Sequence, residues 1–313
     1  STTLARPTQN PSTSVEWPME RYDPAGTSHA AGVTGPASDV EVDWRVRLPQ
    51  WFNGRQPPIY LDGTLYLAGN GLVAVDAESG NQEFAFRAPA GSTPARADSA
   101  VHRTETLVVT SSAGLTGLNR GGGLHLPLVG TVAGTRWQVV SESGSQFFDY
   151  EPIPPVTVDG TAYVVLPETE QLAAVNTTDG SIIWEAGQSS IGTSRVDFRP
   201  AVQDGTIYTT NQLGGVAAVE ADTGDIKWYV TVDGLDPRPP TATADGVVVP
   251  MRQVVADGVL YLTHSNQLTA FDSETGNKLF EYVGTFTLSP TIVADGRLYH
   301  IDSGHLVALE ADS

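Results

Sequence analysis

The sequence predicts an all-β protein, a β-propeller whose blades each contain four antiparallel strands. Two observations carry this prediction. Two short phrases recur along the chain with a period of roughly 40–50 residues, which is typical of radial arrays of small sheets. The segments between the phrases alternate apolar and polar residues over strand-like lengths. With 313 residues the chain is long enough to bury a sizeable core.

The first phrase is an Asp-Gly pair followed by a tyrosine three residues after the glycine. A type I′ turn needs positive φ at both central residues, so Asp-Gly between alternating strands predicts a tight hairpin. The pairs are Asp62-Gly63, Asp159-Gly160, Asp204-Gly205, Asp257-Gly258 and Asp295-Gly296.

The second phrase is Ala-x-Asx-x-x-x-Gly-x-x-x-aromatic, and it predicts a second turn. Its Asx side chain can cap the turn, and its glycine supplies a positive φ. Glu220 and Glu310 replace the Asx residue, which predicts weaker caps there. Each unit therefore corresponds to one blade. The four full copies are Ala74 to Phe84, Ala174 to Trp184, Ala218 to Trp228 and Ala270 to Phe280.

Counting the units predicts six blades, with a degenerate one near Glu105. An extra Asp245-Gly246 is either an insertion or a collapsed seventh blade, so seven remain possible. The last unit stops at Ser313, before its aromatic strand. The segment 40–48, centred on Trp44, has the missing pattern. We expect it to complete the last blade and close the ring, leaving no free sheet edge.

Over residues 40–313 the second phrase resembles the tryptophan-docking phrase of the pyrroloquinoline quinone (PQQ)-type propeller repeat. Residues 17–23 also resemble the segment that often precedes such propellers in secreted proteins. The resemblance implies that the aromatic of one blade packs on the alanine and glycine region of its neighbour. The implied joint residues are Ala74, Gly80, Phe84, Ala174, Gly180, Trp184, Ala218, Gly224, Trp228, Ala270, Gly276, Phe280 and Trp44.

The resemblance also bears on cofactors. The quinoprotein dehydrogenases of this family are longer, and they carry a vicinal disulfide, a Ca²⁺ held by Glu and Asn, and an Asp base. This chain has no cysteine, and no calcium ligand set can be matched residue by residue. We therefore expect neither PQQ nor Ca²⁺. Short noncatalytic members of the family act as scaffolds that bind partners through loops on one face.

Charge excludes some partners. The net charge is −19, from 36 acidic and 17 basic residues, and only Lys227 and Lys278 are lysines. Such a field repels nucleic acid and anionic lipid. An acidic surface with few lysines resembles proteins of salt-loving archaea; the alternative is an ordinary acidic extracellular protein.

Four candidate sites stand out. His300, Asp302 and His305 are candidate metal ligands, or a polar strand end with a turn. The segment 119–153 departs most from the repeat, and its aromatic residues could form an exposed patch for a partner. Alternatively, the tryptophan of this segment is the docking aromatic of the degenerate blade. The aromatic residues are Trp137, Phe147, Phe148 and Tyr150.

Arg195 and Arg199 lie in connections between blades and are candidate partner contacts, or members of ion pairs with nearby acids. Asn176 begins an Asn-Thr-Thr glycosylation sequon, although an Asn at this position also serves as a turn cap. No Ser-His-Asp set or paired catalytic carboxylate can be picked out.

The predicted organisation is a Ser/Thr/Pro-rich stalk or linker over 1–16, a lead-in segment over 17–39 and the propeller over 40–313. The chain starts without Met, which suggests a processed protein or an engineered end, and the sequence leaves open whether a signal peptide or lipid anchor lies upstream. We expect an extracellular or cell-surface protein. The expected function is a noncatalytic, protein-binding scaffold at the cell surface. The alternatives are a quinoprotein-type or sugar-processing enzyme, and a structural subunit of a surface assembly that donates its N-terminal segment to a neighbour.

Overall fold

A computed structural model of the chain describes 17 segments, and their regular secondary structure is entirely β. The segments are 16–30, 33–54, 56–98, 101–126, 130–132, 134–140, 152–167, 169–186, 196–213, 215–231, 239–243, 246–248, 253–256, 259–264, 266–272, 278–286 and 288–311.

The first two strands, β1 (His29–Ala30) and β2 (Val40–Arg47), join sheets formed by the end of the chain. The next strands form three blades of four antiparallel strands. Blade 1 contains β3 (Ile59–Leu61), β4 (Thr64–Ala68), β5 (Leu72–Asp76) and β6 (Gln82–Phe86). Blade 2 contains β7 (Ala95–Ala97), β8 (Thr106–Ser111), β9 (Gly114–Asn119) and, after a hairpin of β10 (Leu124–Leu126) and β11 (Gly130–Val132), β12 (Thr135–Val140). Blade 3 contains β13 (Val156–Val158), β14 (Thr161–Val165), β15 (Leu172–Asn176) and β16 (Ile182–Glu185).

The second half of the chain adds three further blades and one short hairpin. Blade 4 contains β17 (Ala201–Gln203), β18 (Thr206–Thr210), β19 (Gly215–Glu220) and β20 (Ile226–Thr231), and the half-blade that follows contains β21 (Thr241–Thr243) and β22 (Gly246–Val248). Blade 5 contains β23 (Gln253–Ala256), β24 (Val259–His264), β25 (Gln267–Asp272) and β26 (Lys278–Val283), and blade 6 contains β27 (Ile292–Ala294), β28 (Arg297–Asp302), β29 (His305–Ala311) and the early strand β2.

The predicted closure of the ring is confirmed. Strand β2 pairs antiparallel with β29 from Val40 opposite Ala311 to Arg47 opposite His305, and a bulge lies just before Trp44. The N-terminal strand therefore supplies the outer strand of the last blade, and the sheet edge of β29 is covered.

Gly246 of the extra Asp-Gly pair begins β22 of the half-blade, and Asp245 lies outside the described residues. Strand β21 lies beside β17, the inner strand of blade 4. Strand β22 ends at Val248 and β23 begins at Gln253, so the residues between them are too few for two more strands. Within the described residues the ring therefore has six full blades and a half-blade between blades 4 and 5.

The hairpin turns have the predicted chemistry. At Asp62-Gly63 the φ angles are 47° and 81°, and at Asp159-Gly160 they are 45° and 80°. Positive φ at both residues is the signature of a type I′ turn. In the second kind of turn, Asp76 Oδ1 accepts a hydrogen bond from the Ser79 N–H at 2.8 Å.

The blades are joined by aromatic side chains that pack on the turn of the next blade. Trp184 Nε1 donates to the Ala221 carbonyl at 3.0 Å, and a Cβ added to Gly224 would lie 2.6 Å from the Trp184 ring. Trp44 of blade 6 makes the same contact with blade 1 through the Ala77 carbonyl at 3.1 Å. Each glycine is required because any side chain would displace the ring.

The first alanine of each phrase has another neighbour. Ala74 pairs across the sheet with Phe84, and Ala174 pairs with Trp184. These alanines therefore face the aromatic residue of their own blade. The aromatic residue of the preceding blade contacts the glycine of the phrase and the residue three positions before that glycine. The core consists of such contacts between successive blades.

Candidate functional site

A ligand site of a propeller can lie on the ring axis, because the inner strands of the blades surround a central channel. Sheet order puts β3, β7, β17 and β23 on the opposite side of their blades from the strands that carry the docking aromatics. The N-terminal segment 16–36 lies against these inner strands. We call this segment the strap; residues 31–32 within it are outside the described residues.

The strap begins at blades 1 and 2. The Trp17 N–H donates to the Tyr60 carbonyl at 2.8 Å, and the Tyr60 N–H donates to the Trp17 carbonyl at 3.0 Å. The Arg96 N–H donates to the Pro18 carbonyl at 2.9 Å, and the Arg96 guanidinium pairs with Glu16. The Trp17 side chain is only 1% exposed. The strap is therefore anchored by main-chain bonds to two inner strands and by one buried tryptophan.

The middle of the strap lies against blade 4. The Val202 N–H donates to the Pro24 carbonyl at 2.8 Å, and Arg199 Nη2 donates to the Asp23 carbonyl at 2.9 Å. The Nε of Arg199 lies 3.8 Å from a carboxylate oxygen of Glu20. Burial lowers the pKa of the Arg199 guanidinium to about 10. Arg199, predicted as a surface contact for a partner, is instead buried beneath the strap.

The strap next crosses the half-blade and blade 5. Arg21 Nη1 donates to the Pro240 carbonyl at 2.7 Å, and burial lowers the pKa of Arg21. Strand β1 then pairs in parallel with β23, with Ala30 opposite Ala256. Farther along, the Tyr261 hydroxyl donates to the Pro36 carbonyl at 2.9 Å.

The strap lies against inner strands over much of the ring. Inner strands of blades 1, 2, 4 and 5 all contact it. A quinone bound against these inner strands would have to displace Trp17, Arg21 and the residues they contact. The chain also has no cysteine for a vicinal disulfide. The residues present do not fit a quinone cofactor.

The three candidate metal ligands do not converge. His300 is fully buried, and its ring lies 5.3 Å from that of Tyr282. Asp302 accepts hydrogen bonds from the N–H groups of Thr285 and Phe286 at 2.9 and 3.1 Å. Within the described residues no group of three His, Asp or Glu side chains could hold a metal ion.

The titration of two of these residues reflects the same surroundings. Burial lowers the pKa of His300 to about 4. Burial acts to raise the pKa of Asp302, but its bonds to two backbone N–H groups lower it, and the resulting pKa lies below its usual range. His305 Nδ1 lies 3.3 Å from Arg45 Nη2, on the exposed side of the strand pair. The hydrogen bonds of Asp302 therefore join the loop after β26 to blade 6.

Trp137 is a docking residue. Its Nε1 donates to the Thr177 carbonyl at 2.8 Å, and its ring fills the space above Gly180 and beside Gly117. Phe147, Phe148, Tyr150, Arg195 and Gly276 lie outside the described residues. The glycine-rich stretch at 121–123 receives a docking aromatic, since the ring of Phe84 packs on Gly122. The sequence alone did not indicate this contact.

Trp228 differs from the other docking tryptophans. It is 40% exposed, and its ring lies 6.1 Å from Tyr208 of its own blade. The next position along the ring is the half-blade, whose described strands β21 and β22 include no second turn of the kind that receives Trp184. Phe280, at the equivalent position of blade 5, is 3% exposed.

The two faces of the ring follow from blade topology. One face carries the turns between first and second strands and between third and fourth strands; we call it the turn face. Its exposed acids include Asp62, Asp159, Asp204, Asp222 and Asp295.

The other face carries the remaining connections, and we call it the connection face. Leu213 and Phe286 on this face are 75% and 64% exposed. Single exposed apolar side chains are common on folded proteins, whereas contiguous apolar patches mark interaction surfaces.

Asn176 lies on the turn face, where its Oδ1 accepts a hydrogen bond from the Thr178 N–H at 2.9 Å. The side chain therefore caps the turn, and its glycosylation stays a prediction. The described residues contain no helix that could cross a membrane.

Comparison with known proteins gives one family match and several relatives. A family model described as outer membrane protein assembly factor BamB matches residues 33–126 and 128–313. BamB of Yersinia pestis is 30% identical over 164 residues, which make up 50% of this chain and 40% of that protein. Quinohemoprotein alcohol dehydrogenase ADH-IIG of Pseudomonas putida is 27% identical over 152 residues, 46% of this chain and 21% of that protein. The matches thus span less than half of either relative.

Solved structures give the same architecture. The crystal structure of BamB from Moraxella catarrhalis has a TM-score of 0.53 at 14% identity, covering 87% of this chain and all of that one. The quinohemoprotein alcohol dehydrogenase from Comamonas testosteroni has a TM-score of 0.64 at 11% identity, covering 94% of this chain and 80% of that one. At these identities the likeness concerns the fold alone.

Proposed function

The chain belongs to the family of the outer membrane protein assembly factor BamB, and from that premise we propose that it is a noncatalytic, protein-binding β-propeller scaffold. The observation that carries the proposal is the strap, which contacts the inner strands of blades 1, 2, 4 and 5. A propeller whose inner strands are covered by its own chain has its more available surfaces on the outside of the ring. Of the two faces, the connection face exposes Leu213 and Phe286, and it is the proposed docking face.

The proposed location is the cell surface or envelope, with an anchor upstream of the propeller. The family description, which names an outer membrane assembly factor, supports this. The acidic composition supports a strongly saline environment, because at high ionic strength the repulsion among surface carboxylates is screened within a few Å.

The docking face can be tested by photocrosslinking in cells of the source organism. A photoreactive phenylalanine analogue replaces Phe286 on the connection face, and a matched variant carries it at Asp204 on the turn face. We expect a discrete adduct with one partner from position 286 and none from position 204. Equal adducts from both positions, or none from either, would contradict the proposal.

The second candidate is a quinoprotein enzyme, which the similarity to two quinohemoprotein alcohol dehydrogenases favours. The strap opposes it, since the quinone would compete with Trp17 and Arg21. Titration calorimetry with PQQ and Ca²⁺ separates the two candidates. The scaffold proposal expects no heat beyond dilution; tight binding with turnover of an alcohol or a sugar would favour the enzyme.

The third candidate, a surface-assembly subunit that donates its N-terminal segment to a neighbour, has less support. Residues 16–30 lie against inner strands of their own chain. Light scattering at high protein and salt concentrations distinguishes this candidate, because it expects large assemblies whereas the scaffold expects a single small species.

A further inference from the structure

We propose that the channel is a binding groove for an extended peptide and that the strap, residues 16–36, is its exchangeable ligand, held without being part of the ring. The inference does not depend on the scaffold function. Its consequence is that the same segment from a second copy of the chain can replace the strap.

The ring is complete without the strap. Blade 6 is closed by β2, which begins at Val40, after the strap has ended. Trp44 on β2 docks on blade 1 through the Ala77 carbonyl. The connection between strap and ring, residues 37–39, is exposed along its whole length. Removing the strap therefore leaves the pairing of β2 with β29 and the docking of Trp44 on blade 1 in place.

The contacts of the strap are those of a bound peptide. Main-chain bonds join it to inner strands at Trp17–Tyr60 and, through β1, at Ala30–Ala256. Pairing with an unpaired strand edge is a common mode of peptide recognition. Side-chain anchors add selectivity: the buried Trp17 at one end and Arg21, whose guanidinium reaches two carbonyls of the half-blade, in the middle.

The groove also contains features that weaken its hold. Among the described residues, Trp17 Nε1 and Arg199 Nε are buried and have no hydrogen-bond partner, and each such donor loses the water it would bind in an open groove. The Nε of Arg199 lies 3.8 Å from a carboxylate oxygen of Glu20, which is beyond hydrogen-bond distance. Departure of the strap returns both donors to water, which favours exchange over permanent burial.

The test uses the full chain with a site-specific protease sequence inserted between Ser38 and Asp39. The folded protein is cleaved, and the N-terminal fragment is followed by gel filtration and native mass spectrometry. A fluorescent synthetic peptide of residues 16–36 is then added in excess. We expect the fragment to stay bound after cleavage and to be displaced by the peptide, while circular dichroism of the ring is unchanged.

Two altered peptides make the test specific. Because Trp17 is the buried anchor, a Trp17→Ala peptide should need at least about 100-fold higher concentration to displace the fragment. A His29→Ala peptide is the matched control, since His29 is exposed, and it should compete like the natural sequence. Loss of the fragment on cleavage, unfolding of the cleaved ring, or no exchange short of global unfolding would each overturn the proposal.

Discussion

Individual residues decide how firmly each blade is joined to the next, and the tryptophans at equivalent positions are not equivalent. Trp184 has a glycine beneath its ring and a carbonyl for its Nε1, whereas Trp228 is 40% exposed beside the half-blade. We expect Trp184→Ala to lower the free energy of unfolding by about 3 kcal/mol and Trp228→Ala by less than about 1 kcal/mol. Urea unfolding measures both, and equal losses would contradict the difference in docking.

His300 makes stability depend on pH. Its pKa is about 4 in the folded protein, against 6.5 for an unperturbed histidine. Between these values the unfolded chain binds a proton that the folded protein does not. The free energy of unfolding therefore falls as pH drops from 6.5 to 4, by roughly 3 kcal/mol if the full difference is expressed.

A matched variant isolates this contribution. In His300→Phe an aromatic ring remains beside Tyr282, and the two buried ring nitrogens, which have no hydrogen-bond partner among the described residues, are removed. The variant should be at least as stable as the natural protein at pH 7 and should lose most of the pH dependence between 6.5 and 4. Asp302, with its lowered pKa, retains its own contribution at lower pH. If the free energy of unfolding of the variant falls with pH as steeply as that of the natural protein, His300 takes up its proton in the folded protein and the prediction is wrong.

At the scale of elements, the turns that receive aromatic rings should be the least tolerant of change. Gly80 and Gly63 both have positive φ, at 70° and 81°, but only Gly80 has a neighbour, the Trp44 ring 2.7 Å from an added Cβ. Gly63→Ala should cost about 1 kcal/mol from backbone strain. Gly80→Ala should cost at least about 2 kcal/mol more, since it also displaces the closing tryptophan. Thermal unfolding compares the two, and similar losses would mean that Trp44 docks weakly.

Elements specified by local signals were predictable from the sequence, and those specified by distant contacts were not. Asp62-Gly63 fixes its hairpin because two adjacent residues suffice for the turn, and Trp44 was identified because β2 repeats the pattern missing from the last blade. The strap was seen only as a lead-in segment. Its path depends on contacts such as Arg21 with Thr241, 220 positions apart, and no periodicity encodes that distance.

The half-blade and the candidate ligands show the same limit. The extra Asp-Gly indicated a hairpin, but its effect on Trp228 depends on which turn the ring places beside it. Among the candidate site residues, His300 and Asp302 do lie on one strand. However, the carboxylate oxygens of Asp302 accept hydrogen bonds from the backbone N–H groups of residues 285 and 286. The spacing in the sequence indicated that His300 and Asp302 lie close together, but it could not indicate their hydrogen-bond partners.

At the scale of the whole molecule, charge should make stability depend on salt. The net charge is −19, and exposed acids are concentrated in the turn face. Raising KCl from 0.1 M to 1 M shortens the Debye length from about 10 Å to about 3 Å. We expect the urea midpoint to rise over this range. A variant with Asp159→Asn, Asp204→Asn and Asp222→Asn should show a smaller rise, and a midpoint insensitive to salt would contradict the expectation.

Closing the ring with the early strand β2 also imposes an order on folding. Strand β2 is synthesised before blades 1 to 5, whereas its partner β29 follows them. The strap can pair with blade 1 as soon as Tyr60 is made, but β2 must wait, unpaired, until β29 exists. Contacts of such large sequence separation form slowly, and an unpaired strand edge invites pairing with other chains. Strand β2 is thus made before the strand it pairs with, and it can complete blade 6 only after that strand exists.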